Sequence, residues 1–224
     1  MRGVIFDFNG TMVFDEKFHA MAWRKFIEEK ADVKISDEDY QKYCQGVNAN
    51  VIIEKFLQKK FDADELAELV EEKEKFYRQI AVDSGEFKFV DGLEKFLDEL
   101  KKNNVPMTIA TAAGLNNVKF FFEHFNLSKW FNREYVVYDD GTLPGKPEPD
   151  MYLKAAEVIG MEISDCIIFE DSRSGIKAAK NSGAYKVVGI TSTFDEKTLL
   201  ERGVAKAISD YTDLKSLLEL VCED

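Results

Sequence analysis

The sequence predicts an α/β fold, a doubly wound parallel sheet whose chain is interrupted after its first strand by a separate α-helical domain. Three observations carry this. Beyond Gly85, short apolar runs alternate with amphipathic helical stretches, the pattern of a parallel sheet covered on both faces. Residues 15–84 read as helix with no convincing strand. The opening run at residues 3–8 reads as a buried strand, and placing it in that sheet makes the helical block an insertion. The expected domains are residues 1–14 with 85–224 as the α/β core and residues 15–84 as the helical insert.

Taken in order, the first strand stops at Asp7 and turns at Asn9-Gly10. A helix is expected over 15–31, where Phe18, Ala22 and Phe26 recur every four residues beside Trp23 and Ile27, with charges opposite. Amphipathic stretches follow at 36–44, 49–60 and 63–82. The core then predicts helix 92–102, strand 107–111, helix 116–126, strand 135–138 and helix 150–159. Strand 166–169, helix 172–181, strand 186–190 and helices at 196–201 and 213–221 complete it. Pro144, Pro147 and Pro149 exclude helix or central strand around Gly145 and Lys146, so that stretch is a stiffened loop.

Composition narrows the function. Of 224 residues, 45% are apolar and 32% charged, which suits a globular chain and not a disordered one. The 30 basic against 42 acidic side chains leave a formal charge of −12, so nucleic acid is not expected as a partner. No apolar run approaches the roughly 18 residues of a membrane span. A charge at Asp7 comes too early for a signal peptide, and a cytoplasmic protein without membrane attachment is expected. Cys44, Cys166 and Cys222 are scattered and odd in number, which disfavours a disulfide framework or zinc site. With only His19 and His124 as histidines, the chemistry rests on carboxylates. The 18 phenylalanines can fill a core as readily as an interface, and a monomer or weak homodimer is expected.

In open parallel sheets ligands bind outside the carboxyl ends of the strands. Four such ends carry polar residues: Asp7 with Asn9-Gly10-Thr11, then Thr111, then Lys146 in its loop, then Glu170-Asp171. Each alone has a plain structural reading as turn, strand residue, solvated lysine, or cap of the helix containing Gly175. Together they make sense as a metal-assisted phosphate site. Asp7, Glu170 and Asp171 would bring up to three negative charges into one crevice, which is costly unpaired. Magnesium, which takes oxygen ligands and shares its octahedron with water and phosphate, removes that cost. Lys146, Thr111 and the backbone of residues 9–11 can donate to a phosphate, and a carboxylate in line with phosphorus can act as nucleophile.

Asp7-x-Asn9-Gly10-Thr11, Thr111, Lys146 in Gly-Lys-Pro-Glu-Pro-Asp, and Glu170-Asp171-Ser172-x-x-Gly175 resemble the four motifs of the haloacid dehalogenase-like (HAD) superfamily. The helical block resembles that family's α-helical cap domain, and the likeness runs from Gly3 to about Ile190. The subgroup it is most similar to is the β-phosphoglucomutase and phosphoglycolate phosphatase-like one. The resemblance implies a Rossmann-like core, a Mg2+ cofactor, and hydrolysis of a small phosphorylated metabolite, sugar phosphate-like, through an aspartyl phosphate. It implies Asp7 as nucleophile and Asp7, the Asn9 backbone carbonyl and Asp171 as metal ligands, with Glu170 as ligand or beside them. It implies Thr111 and Lys146 as the phosphate clamp, with Gly10 and Thr11 in the phosphate-binding turn.

Asn9 is the main departure, because the family's phosphatases and mutases carry there an Asp that moves protons. Asn donates hydrogen bonds but transfers no proton at neutral pH, and losing a general acid–base typically costs about 10²–10⁴ in rate. The expectation is therefore a slow or substrate-restricted phosphohydrolase, with Asp15 and His19 of the cap as the nearest substitute acids; their four-residue spacing puts both on one helix face. The alternatives are a β-phosphoglucomutase-like phosphotransferase and a non-catalytic module that binds a phosphorylated ligand. The cap loop Gln45-Gly46-Val47-Asn48-Ala49 resembles the mutase specificity loop, which makes Gly46, Val47 and Asn48 candidate substrate contacts. Ala49, however, stands where those enzymes have an arginine for a second phosphate. Lys73 matches a mutase cap lysine but lies in a Glu-Glu-Lys-Glu-Lys run that reads as a solvated face.

Overall fold

The structure, a computed structural model, describes residues 2–222. The chain forms two compact units, one from the segments up to Phe14 and from Lys88 onward, the other from Asp15–Phe87.

The helical unit contains α1 (Glu16–Ala31), α2 (Asp37–Tyr43), α3 (Ala49–Leu57) and α4 (Ala63–Asp83). The four-residue apolar spacing of α1 buries Phe18, Ala22, Trp23, Phe26 and Ile27, and Trp23, Phe26 and Ile27 share a core with Tyr40, Ile52 and Ile53. Capping boxes at Ser36 with Asp39 and at Asp62 with Glu65 start α2 and α4. Gln58 takes a left-handed φ of 52° and ends α3 at Leu57, earlier than the expected 60. The unit continues to Phe87 rather than stopping at 84, because the Phe87 ring packs edge-on against Phe18 at 5.9 Å and Tyr77 at 6.2 Å.

In the α/β unit, β1 (Gly3–Phe6), β2 (Met107–Gly114), β3 (Val137–Asp139), β4 (Cys166–Glu170), β5 (Lys186–Ile190) and β6 (Lys206–Ile208) form a parallel sheet in the order β3-β2-β1-β4-β5-β6. Its helices are α5 (Leu93–Lys102), α6 (Leu115–His124), α7 (Asp150–Val158), α8 (Arg173–Asn181), α9 (Glu196–Glu201) and α10 (Leu214–Cys222). Although first in sequence, β1 lies inside the sheet, with Phe6 opposite Ile109 on one side and Phe169 on the other. Strand alternation separates two cores. Paired Ile5 and Ile168 meet Met151, Tyr152 and Ala155 of α7 and Ile176 and Ala179 of α8. Paired Phe6 and Phe169 stack at 5.0 Å and meet Phe96 and Tyr211.

The sequence reading missed β6. This strand has only three half-buried residues and exists by pairing with β5, from Val188↔Lys206 to Ile190↔Ile208. The third expected strand begins at Val137 rather than 135, since Arg133–Tyr135 forms a 3₁₀ turn. β2 runs on to Gly114, past the expected stop at Thr111. Among the described residues, no helix is long and apolar enough to cross a membrane.

Candidate active site

The sheet order makes β1 and β4 neighbours, so the residues following them converge. Carboxylate oxygens of Asp7, Glu170 and Asp171 lie within 4.8 Å of one another, and these residues are only 6%, 1% and 6% exposed. The proline-rich loop delivers Lys146 between two of them: its Nζ donates to Asp7 Oδ1 at 2.6 Å and to Glu170 Oε1 at 2.7 Å. Tyr152 on α7 donates its hydroxyl to Glu170 Oε1 at 3.2 Å, and its ring centroid lies 5.0 Å from the Lys146 ammonium. The Ser172 amide donates to Glu170 Oε2 at 2.6 Å, while Ser172 Oγ accepts from the Gly175 amide at 3.0 Å and caps α8. Asp171 Oδ2 accepts hydroxyl hydrogen bonds from Ser192 and Thr193, both at 2.8 Å.

Two glycines make room for this cluster. A Cβ on Gly10, whose φ is +74°, would stand 2.2 Å from Asp171 Oδ2; one on Gly175 would stand 1.5 Å from Glu170 Oε1. Gly175 therefore has a packing reason at its place in the motif, and Gly10 has both a packing and a backbone reason.

Burial pushes the Asp7 carboxyl well above the ordinary carboxylate range; Glu170 and Asp171 add to this and Lys146 opposes it. Burial, helped by Glu170, likewise lifts Asp171 to about 7 against the hydroxyls of Thr193 and Ser192. Burial would pull the Lys146 ammonium down, but Asp7 and Glu170 outweigh it and hold it well above its usual value. The lysine keeps its proton, and the strain of crowding falls on the carboxylates. Three carboxylates against one ammonium is a set that a hard divalent cation with oxygen ligands fits. Glu170 has both oxygens already engaged by Lys146, Tyr152 and Ser172.

Thr111 is 1% exposed and accepts the Ala113 amide on Oγ1 at 3.1 Å, which leaves its own hydroxyl proton to donate. The turn after β1 uses its amides internally: Gly10 donates to Val13 O at 2.8 Å and Thr11 to Phe8 O at 3.3 Å. Of the backbone donors expected there for a phosphate, the Gly10 and Thr11 amides are thus occupied, because the chain closes a tight turn. Thr11 is fully buried, and its Oγ1 has no hydrogen-bond partner among the described residues. Asn9 is half-buried and forms a parallel bridge with Val13.

The helical unit holds the other candidates. Asp15, 1% exposed, accepts from the Tyr77 hydroxyl and lies 3.6 Å from His19 Nε2. His19 stacks on Tyr77 at 4.0 Å, and its Nδ1 is 2.9 Å from Lys73 Nζ. An ammonium only donates, so Nδ1 accepts and the ring proton sits on Nε2, towards Asp15. The solvated-face reading of Lys73 is incorrect: the residue is 2% exposed, pairs with Glu74 at 2.7 Å and lies 5.0 Å from the Trp23 ring centroid. Helical spacing puts it one turn before Tyr77 on the inner face of α4. Gly46, Val47 and Asn48 form an exposed turn, where Asn48 caps α3 by accepting the Asn50 amide at 2.9 Å.

Sequence reasoning missed Tyr152, Ser192, Thr193 and Tyr77. Ser192 and Thr193 follow the end of β5, so the rule that found the other strand ends could have found them. Tyr152 and Tyr77 carry no local signal.

The haloacid dehalogenase-like hydrolase family matches this chain over residues 1–183. A crystal structure of a HAD hydrolase, family IA, variant 3, from Entamoeba histolytica HM-1:IMSS is similar with a TM-score of 0.91 and 34% identity, with 99% of each chain covered. The phosphorylated carbohydrates phosphatase of Thermotoga maritima is 26% identical over 226 residues, 99% of this chain and 100% of the relative. The β-phosphoglucomutase of Bacillus subtilis is 28% identical over 193 residues, 84% of this chain and 82% of the relative. With its parallel sheet and the motif residues gathered at one sheet edge, the chain belongs to the haloacid dehalogenase-like hydrolases.

Proposed function

We propose that the chain is a magnesium-dependent phosphohydrolase that moves a phosphoryl group from a small, sugar phosphate-like metabolite to Asp7 and then to water. The observation that carries this reading is the buried cluster of Asp7, Glu170 and Asp171, with Lys146 donating to both Asp7 and Glu170. The phosphorylated carbohydrates phosphatase and β-phosphoglucomutase among its relatives support the substrate class.

Asp7, Asp171 and the backbone carbonyl of Asn9 would hold the cation. Glu170 would hold Lys146 in place rather than act as a direct ligand, since both of its oxygens are engaged. Bound magnesium supplies charge neutralisation for the phosphoryl oxygens. Lys146 and the Thr111 hydroxyl orient the phosphate. An Asp7 oxygen attacks phosphorus, the P–O bond to the leaving group breaks, and water later cleaves the acyl phosphate to release inorganic phosphate. Asn9 donates a hydrogen bond to the leaving oxygen without supplying a proton, which favours substrates with good leaving groups.

The test compares steady-state turnover of wild type and Asn9→Asp, with magnesium, on an aryl phosphate, an acyl phosphate and alkyl sugar phosphates. Wild type is expected to cleave the activated esters, and Asn9→Asp to gain about 10²-fold or more on the alkyl ones. No turnover by either protein, with magnesium and phosphate still bound, would make the chain a binding module instead.

A further inference from the structure

The loop after β5 adds a pair of side chains to the acidic cluster. Thr191 donates its amide to Ile208 O at 2.9 Å, which prolongs the β5–β6 ladder by one residue. The chain then turns, and the hydroxyls of Ser192 and Thr193 both donate to Asp171 Oδ2 at 2.8 Å. Neither falls on Oδ1. A carboxylate with one oxygen pinned by two donors cannot exchange its oxygens without breaking both bonds, so the other oxygen keeps one direction.

Two plainer roles fail. The helix that follows, α9, is capped by Asp195, whose side chain accepts the Thr198 amide, so these hydroxyls are not its cap. Nor are they core packing, since both residues are solvent-exposed while Asp171 is 6% exposed.

We propose that Ser192 and Thr193 are positioning residues for cation binding: together they fix Asp171 Oδ2 so that Oδ1 is presented to a divalent metal. The inference rests on Asp171 being a metal ligand, as in the proposed function. Partners of this kind are typically worth about 10–100-fold in metal affinity.

The experiment measures Mn2+ binding to the full chain by electron paramagnetic resonance of the free ion, alongside thermal unfolding. Ser192→Ala/Thr193→Val removes both hydroxyls and should raise the Mn2+ dissociation constant by about 10–100-fold. Ser192→Thr/Thr193→Ser keeps both hydroxyls and should bind within a few-fold of wild type. If the first double variant fails to fold, Ser192→Ala and Thr193→Val are read singly, each with weakened binding expected. Wild-type affinity in the hydroxyl-free variants, or equal loss in the hydroxyl-keeping variant, overturns the positioning role and leaves the proposed function standing. No Mn2+ binding by wild type overturns both.

Discussion

Replacing Gly175 by alanine sets two opposed effects against each other. Gly175 lies inside α8, where alanine is intrinsically favoured over glycine by roughly 0.8–1 kcal/mol. A Cβ there would stand 1.5 Å from Glu170 Oε1, 2.0 Å from Cδ and 2.5 Å from Oε2. A glutamate carboxylate can ordinarily swing aside, but this one is 1% exposed and held by Lys146 at 2.7 Å, the Ser172 amide at 2.6 Å and Tyr152 at 3.2 Å. Moving it parts a buried ion pair, and breaking such a pair costs about 3–5 kcal/mol. The net expectation is a loss of about 2–4 kcal/mol. At roughly 2–4 °C per kcal/mol for a chain of this size, Tm should fall by on the order of 10 °C. Thermal and urea unfolding of the metal-free protein would measure it, with Ser174→Ala, an exposed position one residue earlier in the same helix, as the propensity control. If Gly175→Ala melts at or above wild type, Glu170 is not clamped and the reasoning fails.

Two other predictions concern titration and the helical unit. Burial and Glu170 hold Asp171 at about 7, above its ordinary 3.8, so between those values the folded chain keeps a proton that the unfolded chain has released. Its contribution is fully present below about pH 4 and is lost as pH rises through 7. Metal-free Asp171→Asn should therefore gain on wild type across this window, by on the order of 4 kcal/mol, in urea unfolding; a flat difference between the two proteins would contradict this. Tyr77→Phe removes one donor from buried Asp15 and should cost about 1–3 kcal/mol of stability. An unchanged urea midpoint would mean that the Tyr77 hydroxyl is not needed to satisfy Asp15.

Much of the fold was legible because the signals that define it are local. The period-four apolar residues of α1, the continuous apolar runs of β1 and β4, and the prolines around Lys146 each act within a few residues. The ends of elements were less legible where a single backbone choice decides them, as at left-handed Gln58. β6 was invisible because its strand character comes from β5, not from Lys206-Ala207-Ile208 itself.

By itself, the sequence determined that Asp7, Lys146 and Asp171 lie outside strands and that Glu170 closes one, because strand ends and turns are set by neighbouring residues, whereas Thr111 falls inside β2 rather than at its end. Only the tertiary structure decided what those residues touch. Lys146 reaches Asp7 across 139 positions and Glu170 across 24. Lys73 became buried because α4 turns it towards His19 and Trp23. Ser192 and Thr193 came to hold Asp171 across 21 and 22 positions. A charge in a polar run reads as solvated until a neighbour distant in sequence removes the water, and that desolvation belongs to packing rather than to any local pattern.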